Sequence, residues 1–276
     1  MSWILVRVRP GAAHEKDLIV AALVDGGAQG VQEDGDVLVT YLPGDTSTPT
    51  IETGIALVSP RARVELAPAV EIDARPEWQC TVGLQHVGAL TITPPWLLQQ
   101  AGEGAGTIVI DPAMAFGTGE HPTTRGVLRL MQSVVRAGDT VADLGTGSAV
   151  LSIAAARLGA RRVVAIESDP DAIGNAAANV RRNGVDSVVT ILDGDARVLL
   201  PLVAPVRVIL ANILSSVLTE LSGVMRSALS AGGQIIVSGI LVGEREEFVR
   251  RMARDGWKVE RDHLEGEWLS ATLSVS

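Results

Sequence analysis

From about Thr107 to residue 276, apolar residues recur with the spacing of both strands and helices. Short apolar runs predict strands, and segments with apolar positions three and four residues apart predict helices between them. The strands are expected at 107–112, 140–147, 161–169, 187–195, 206–214, 233–241, 257–264 and 267–275, and the helices at 122–136, 148–160, 170–184, 216–229 and 244–256. Regular alternation of strands and helices predicts an α/β fold with a parallel sheet covered by helices on both faces. Since no helix separates the last two strands, we expect one of them to be antiparallel.

The first 60 residues show a different pattern, that of a small α+β module. Strands are expected at Trp3–Arg9, 30–34 and 36–42, and helices at 15–24 and 52–59. Between residues 60 and 95 prolines recur and the periodicity weakens, although 64–72 and 78–84 have the composition of strands. We therefore predict an α+β domain at 1–60, a linker with some β structure at 61–100 and a larger α/β domain at 101–276.

Composition and charge narrow the range of functions. The 276 residues are 47% hydrophobic and 20% charged, which suffices for packed cores and argues against disorder. The net charge is -9, and residues 1–75 alone hold 6 basic and 11 acidic side chains, a net of -5. Because a negative surface repels a phosphate backbone, a basic protein or a cationic small molecule is a better expected partner than nucleic acid.

The termini, the cysteine content and the longest apolar runs bear on the cellular compartment. A single cysteine, Cys80, cannot form an intramolecular disulfide or a multi-cysteine zinc site. The N-terminus lacks the pattern of a signal peptide, and no apolar run reaches the roughly 18 residues that span a bilayer. We therefore expect a cytoplasmic protein with no membrane partner and no bound metal.

A glycine turn follows the predicted strand at 140–147. The strand ends in Asp143, passes through Gly145 and Gly147 and enters an alanine-rich helix, so backbone N–H groups and a helix start lie at its carboxyl end. A flat or charged ligand can approach such a turn. The dinucleotide fingerprint is incomplete, since Val150 stands at its third glycine position and Ala149 where nucleoside-binding loops often have glycine. An ordinary tight turn between strand and helix is the alternative.

Acidic residues end the next two strands. Glu167 lies 22 residues after Gly145, a distance at which an acid commonly accepts hydrogen bonds from ribose hydroxyls. Asp169 precedes Pro170 and suits a helix N-cap, so we assign Glu167 to the ribose and Asp169 to the cap. Asp195 ends the third strand, where contact with an adenine amino group and the role of a loop acid are equally plausible.

Two further segments carry polar groups toward the same edge of the sheet. In IDPAMAFGTGEHPTT, Phe116 precedes two glycines, and Thr124 offers a hydroxyl at the start of the next helix. His121 in this segment is better explained as a capping or packing residue than as a catalytic one. Asn212 ends the strand at 206–214, where its amide oxygen can face a bound ligand; a helix N-cap is its alternative role.

These segments together resemble a known family. From about Trp78 onward the chain resembles the bacterial ribosomal protein L11 methyltransferases, a class I family that uses S-adenosylmethionine. The matching segments occur in the family's order and spacing: DPAMAFGTGEHPTT, DLGTGSAVLSIAAARLGA, ANIL, SGIL and EWL. The segment GAQGVQED is similar to part of the family's ferredoxin-like substrate-recognition domain.

The resemblance implies a fold and a set of ligand contacts. It implies a class I methyltransferase domain with a Rossmann-like seven-stranded sheet at 101–276, after a ferredoxin-like substrate-recognition domain at 1–60. It implies cofactor contacts from Thr124, Gly145, Glu167 and Asn212, the last also near the substrate amine. Together with the other candidates at this edge, the expected S-adenosylmethionine site is Thr124, Gly145, Gly147, Glu167, Asn212, Asp143, Asp195 and Phe116. The chain departs from the family pattern at Ala149, where glycine is usual, at Glu167, where aspartate is usual, and at Glu120.

The implied activity is methylation of amines, lysine side chains or the N-terminal amine, of ribosomal protein L11. Asn212 is the candidate catalytic residue, because its oxygen can accept an amine N–H bond and orient the lone pair. The acidic N-terminal domain would hold the basic substrate protein, with no nucleic acid required. The alternatives are a class I methyltransferase that acts on another protein or on a small-molecule amine, and a nucleotide-binding oxidoreductase. The missing third glycine and the ANIL segment argue against the oxidoreductase.

Overall fold

The computed structural model describes residues 3–28, 30–43, 46–68, 82–102, 104–112 and 117–276. Phe116 and Cys80 lie outside the described residues, as do parts of the two strands predicted at 64–72 and 78–84. The chain divides into two compact units, Met1–Glu77 and Trp78–Ser276. Among the described residues, no helix combines the length and the apolar character needed to cross a membrane.

Unit 1 is a four-stranded antiparallel sheet with two helices. Its elements are β1 (Trp3–Arg9), α1 (Lys16–Asp25), β2 (Gln32–Asp34), β3 (Val37–Pro43), α2 (Thr48–Val58) and β4 (Arg63–Pro68), and the strand order is β2-β3-β1-β4. This βαββαβ sequence is the ferredoxin-like arrangement. Val6 and Val8 alternate inward along β1 and pack with Ile19 of α1 and Ile55 of α2 in one buried cluster. The predicted ferredoxin-like module is therefore present.

The predicted linker, residues 61–100, differs from the structure at both ends. Its first part contains β4, which pairs with β1 and completes the sheet of unit 1. Its second part contains β5 (Gln85–Val87), β6 (Leu90–Thr93), a 3-10 turn at Pro95–Leu97 and α3 (Leu98–Ala101), and β6 pairs with β7 (Thr107–Val109). Val87, Leu90 and Ile92 are buried in the core of unit 2. Prolines interrupt the hydrophobic periodicity of residues 61–100 but do not prevent strands from forming. The periodicity therefore predicted less regular secondary structure in this segment than the structure contains.

Unit 2 is built on a seven-stranded sheet, as the family resemblance implied, while the strand predicted at 107–112 lies outside it as β7, in a three-stranded sheet with β5 and β6. Its strands are β8 (Thr140–Leu144), β9 (Arg162–Glu167), β10 (Val189–Asp193), β11 (Val206–Asn212), β12 (Leu229–Leu241), β13 (Trp257–Glu265) and β14 (Trp268–Val275). Its helices are α4 (Pro122–Val134), α5 (Val150–Arg157), α6 (Pro170–Arg182), α7 (Ala196–Val203), α8 (Ser215–Ala228) and α9 (Arg245–Arg254). The strand order is β10-β9-β8-β11-β12-β14-β13, with β14 antiparallel to both of its neighbours. The doubly wound α/β fold and the antiparallel strand are thus confirmed.

Helix α7 was not predicted. It has only eight residues and contains Pro201, which removes a backbone donor and normally interrupts a helix. Asp195 caps its N-terminus by accepting a hydrogen bond from the backbone N–H of Arg197, and Leu200 is fully buried. Capping and burial therefore outweigh the effect of Pro201.

Two apolar layers sandwich the sheet. Val141, Val163 and Val208 point into one layer, while Ala142, Val164 and Ile209 point into the other, as the two-residue period of a strand requires. Because both faces are covered, the polar ends of the strands are the places where a ligand can reach the sheet.

Candidate active site

A cavity of about 570 Å³ opens at the carboxyl ends of β8, β9, β11 and β12. Its volume lies in the range of about 300–1,000 Å³ that small-molecule sites occupy. It is lined by Gly117, His121, Thr123, Thr124, Gly145, Thr146, Gly147, Val150, Leu151, Glu167, Asp169, Ala172, Asn212, Ile213, Leu214, Gly239 and Trp268. Five of the predicted site residues, Thr124, Gly145, Gly147, Glu167 and Asn212, therefore meet at one cavity.

The glycine turn forms the floor between β8 and α5. Gly145 and Gly147 have φ angles of 66° and 54°, in the left-handed region that favours glycine. A Cβ on Gly145 would lie 2.7 Å from Cγ2 of Ile213, so the turn has no room for a side chain there. The backbone N–H groups of Gly145 and Thr146 donate to the carbonyl of Ile166 at 2.9 and 3.2 Å, which fixes the turn against β9.

Glu167 joins this turn to the start of α6. Its Oε2 accepts from the N–H of Gly147 at 2.8 Å, and its Oε1 accepts from the N–H groups of Ser168 and Asp169 at 2.8 and 3.0 Å. Asp169 in turn caps α6 by accepting from the N–H of Asp171, as the sequence predicted. Because the carboxylate of Glu167 also borders the cavity, the predicted ribose contact is compatible with these bonds and stays a prediction.

Asp143 lies beneath the turn and does not line the cavity. It is fully buried, and its Oδ2 accepts hydrogen bonds from the hydroxyls of Thr146 and Ser152 at 2.6 and 2.7 Å. Its Oδ1 has no hydrogen-bond partner in the part of the chain that the structure describes. Burial is the main cause that raises the pKa of Asp143 from 3.8 to about 6. Asp143 therefore supports the turn from below, and its predicted cofactor contact stays untested.

The raised pKa of Asp143 predicts a measurable pH dependence of stability. Over the pH range between the two pKa values, the folded protein keeps this proton and the unfolded chain has lost it. The contribution of the proton to the free energy of unfolding is therefore full below pH 3.8 and is lost as the pH rises through about 6. Since one pKa unit corresponds to about 1.4 kcal/mol, the expected loss is roughly 3 kcal/mol. We expect Asp143→Asn, which stays neutral, to lack this loss when urea unfolding of both proteins is compared between pH 4 and pH 7. If the free energy of unfolding changes equally with pH in both proteins over that interval, Asp143 is not the group responsible.

Ala149 occupies a backbone conformation that glycine usually takes. It precedes α5 with φ 68°, is the only non-glycine residue with positive φ among the described residues, and its methyl group is fully buried. The left-handed conformation costs a residue with a Cβ about 1–2 kcal/mol. Glycine would relieve that cost. It would also lose the burial of the methyl group and raise the chain entropy of the unfolded state, and these two losses in free energy of unfolding are together of similar size to the gain.

We therefore expect different effects on stability from two substitutions at position 149. Ala149→Gly should change the free energy of unfolding by less than about 1 kcal/mol, because the gains and losses nearly cancel. Ala149→Val should destabilise by about 2–4 kcal/mol, because a β-branched side chain is strained at positive φ and overfills the site. Chemical denaturation of both variants measures the difference; equal stabilities would show that the turn adjusts its backbone.

The segment at 117–121 is docked against the glycine turn and the C-terminal hairpin. The Ser148 hydroxyl donates to the carbonyl of Gly117 at 2.7 Å. His121 caps α4 through Nδ1, which accepts from the N–H of Thr123, and its ring lies edge-on to Trp268 with centroids 5.0 Å apart. Burial, and secondarily the charge of Arg125, lower the pKa of His121, which favours the neutral ring. These contacts match the expected capping and packing role.

Arg125 joins this segment to the hairpin. Its Nη1 donates to the carbonyl of Glu120, while its Nε and Nη2 lie 2.7 and 2.6 Å from Oε1 of Glu265. Burial opposes ionisation of Glu265, but the bonds and charge of Arg125 outweigh it and lower the pKa of this carboxyl. Glu265 is the cross-strand neighbour of Trp268. Arg125 thus fixes two walls of the cavity relative to each other.

Thr124 and Asn212 are hydrogen-bonded neighbours in the wall of the cavity. Thr124 is fully buried, and Nδ2 of Asn212 donates to its Oγ1 at 3.3 Å. Among the described residues no group donates to Oδ1 of Asn212, so this oxygen is available to a ligand. The alternative role of Asn212 as a helix cap does not apply, because Leu214 occupies the N-cap position of α8.

Asp195 lies outside this cavity and Phe116 outside the described residues, and several lining residues were not predicted. Asp195 caps α7, and its carboxylate lies 3.0 Å from Nε of Arg197; it does not line the cavity, so the predicted adenine contact stays untested. Trp268, Leu214 and Gly239 were not singled out individually. A Cβ on Gly239 would collide with the carbonyl of Ile213, which explains the glycine in SGIL.

Comparison with known proteins places this architecture in a family. Residues 10–275 match the family described as ribosomal protein L11 methyltransferase (PrmA). A protein of that name from Chloroflexus aurantiacus is 35% identical over 263 residues, with 84% of this chain and 80% of that protein covered. Another from Pelotomaculum thermopropionicum is 38% identical over 238 residues, with 83% and 76% covered. The crystal structure of a ribosomal protein L11 methylase from Lactobacillus delbrueckii subsp. bulgaricus gives a TM-score of 0.62 at 29% identity, covering 70% of this chain and 98% of that one. The chain therefore belongs to the ribosomal protein L11 methyltransferase family.

Proposed function

We propose that this protein methylates amine nitrogens of ribosomal protein L11, on lysine side chains or the N-terminus, with S-adenosylmethionine as methyl donor. The observation that carries the proposal is the single cavity where the glycine turn, Glu167 and the Thr124–Asn212 pair meet. The related proteins named above share the substrate in their names. A ribosomal protein as substrate also agrees with the cytoplasmic location expected from the sequence.

The cavity fits S-adenosylmethionine in shape and in charge. Gly145 carries no Cβ at the floor, so the backbone of the turn can approach a ligand closely, and the lining contains the acids Glu167 and Asp169 but no lysine or arginine among the described residues. This charge suits a ligand with a cationic sulfonium and disfavours a dinucleotide phosphate. Gly145, Gly147, Glu167 and Thr124 would hold the cofactor, and Asp143, Asp195 and Phe116 remain further candidates. When bound, the cofactor supplies a methyl carbon that is electrophilic because it is attached to positive sulfur.

The chain's own residues must deliver a neutral, oriented amine. A lysine has an ordinary pKa of about 10.4 and is mostly protonated at neutral pH. Ile213, Leu214 and Trp268 give the cavity an apolar side, and desolvation there lowers the pKa of an entering ammonium group. Oδ1 of Asn212 can then accept an N–H bond and orient the lone pair. We propose that water takes the released proton, because Glu167 is engaged by three backbone N–H groups and His121 by its cap.

Unit 1 is proposed to hold the substrate protein. The sheet face away from its helices bears Arg7, Arg9 and Arg63, since the alternate residues of β1 point into the core. Acidic side chains are concentrated at β2 and the turn that follows it: Glu33, Asp34 and Asp36. Two of them form surface ion pairs, since Oε2 of Glu33 lies 2.6 Å from Nζ of Lys16 and Oδ2 of Asp36 lies 3.6 Å from Nη1 of Arg9. A basic protein would dock at this end of the module through Asp34 and by competing with Lys16 and Arg9 for the other two exposed carboxylates, and added salt should weaken the interaction.

Incubation with radiolabelled S-adenosylmethionine and purified ribosomal proteins tests the proposed function. Label in ribosomal protein L11, and its loss when the lysines and N-terminus of L11 are blocked, is the expected result. Label in a different protein, or only in small amines, would replace the proposed substrate while retaining methyl transfer.

A further inference from the structure

Three aliphatic side chains are exposed beside the mouth of the cavity. Leu214, at the N-cap of α8, is 68% exposed, and Leu241 and Val242, at the end of β12, are 38% and 40% exposed. Leu214 also lines the cavity. An exposed apolar cluster next to a binding site commonly marks a surface that another molecule covers.

Hydrogen bonds show that these residues form one continuous surface. Oε2 of Glu244 accepts from the Ser215 hydroxyl at 2.8 Å and from the N–H of Leu241 at 3.3 Å, which joins the start of α8 to the turn after β12. The N–H of Val242 donates to the carbonyl of Glu267 at 2.9 Å, and Leu241 is the cross-strand neighbour of Trp268 in the cavity wall. We call Leu214, Leu241, Val242, Glu244 and Glu267 the cavity rim.

The rim is acidic as well as apolar. Within the described ranges, neither Glu244 nor Glu267 forms an ion pair. The neighbouring cations are already matched: Arg245 lies 2.7 Å from Asp262, and Arg251 lies 2.8 Å from Glu247. Two unneutralised carboxylates beside three aliphatic side chains favour a partner that presents both apolar and basic groups.

We propose that the cavity rim binds the peptide segment of the substrate protein that flanks the target amine, and selects segments with an aliphatic residue and a second basic residue. The inference rests on the proposed function, since an amine that reaches Asn212 must carry its polypeptide past the mouth of the cavity. Leu214 belongs to both surfaces and makes the rim continuous with the site. The rim would thus act on the binding of the protein substrate and leave the cofactor and the chemical step unchanged.

Two substitutions in the full-length protein test the rim without altering the cavity. Val242→Asp removes an aliphatic contact, and Glu267→Lys reverses a charge; both side chains are exposed, and only the backbone of each takes part in the hydrogen bond between them. The matched controls are Val275→Asp, a valine 39% exposed at the far end of β14, and Asp186→Lys, in the exposed loop before β10.

We expect each rim variant to raise KM for ribosomal protein L11 about tenfold, with kcat and the Kd of S-adenosylmethionine within twofold of the wild type. The control variants should match the wild type in all three quantities. Unchanged KM in both rim variants, or equal increases in the controls, would overturn the inference while wild-type methylation of L11 leaves the proposed function standing. A wild-type dimer that the rim variants convert to monomer would assign the rim to self-association instead. A wild type that binds the cofactor but transfers no methyl group to L11 would refute the proposed function itself.

Discussion

Replacement of Asn212 by alanine should lower kcat by about 10²-fold or more and leave the Kd of S-adenosylmethionine within a few-fold of the wild type. The reason is geometric: Nδ2 of Asn212 is anchored on Oγ1 of Thr124 at 3.3 Å, which leaves Oδ1 to orient the incoming amine. Misplacement of a reacting group by about 1 Å can cost 10²-fold in rate. Single-turnover kinetics with saturating cofactor, together with calorimetric titration of the cofactor, separate the two quantities.

Substitutions of Thr124 provide the matched control for this prediction. Thr124→Ser retains the hydroxyl that anchors Asn212, whereas Thr124→Val is nearly isosteric and removes it, and the position is fully buried in both cases. Serine should therefore preserve most of the turnover, and valine should lose part of it. Turnover in Asn212→Ala equal to that of the wild type would remove Asn212 from the proposed role.

Removal of unit 1 should abolish methylation of ribosomal protein L11, a loss of more than about 10³-fold in kcat/KM, without loss of cofactor binding. The larger unit has its own buried layers on both sides of the sheet and contains every lining residue of the cavity. The truncation belongs at Glu77, because a cut at residue 60 would leave β4 without its partner β1. An unpaired edge strand would promote aggregation and obscure the result.

The truncated protein should be compared with the wild type by calorimetric titration of S-adenosylmethionine and by methyl transfer to L11. Cofactor Kd within twofold, combined with no detectable transfer, is the expected pair of results. Transfer at the wild-type rate would contradict the assignment of substrate recognition to unit 1. Raised ionic strength should increase KM of the intact protein, because the proposed attraction is between opposite charges.

Local patterns account for most of the fold and for the centre of the site. The strands from β8 to β12 are strongly periodic. The glycine turn follows β8, and Glu167 and Asn212 end β9 and β11, the two parallel neighbours of β8, so their meeting at one edge of the sheet could be predicted. The position of Asp169 before Pro170 predicted its capping role. These features depend on residues close together in the sequence.

Contacts between distant residues could not be predicted in the same way. Arg125 and Glu265 are 140 positions apart, and no local pattern indicates that one binds the other. Asn183 binds the backbone of Val109 through both its amide oxygen and its amide nitrogen, at 2.9 and 2.7 Å, and thereby supports β7 from α6. The extent of unit 1 was missed for a related reason, because β4 is defined by its pairing with β1 rather than by its own periodicity.

The position of β14 has a consequence for how the protein is made. Although it is the last of the seven strands in chain order, β14 lies between β12 and β13 and hydrogen-bonds to both. The nascent chain therefore cannot close its sheet, or place Trp268 in the cavity wall, until β14 has emerged from the exit tunnel of the ribosome that synthesises it. Prematurely terminated chains that lack this strand would have an open sheet and an incomplete cavity, so only full translation through β14 yields a competent enzyme.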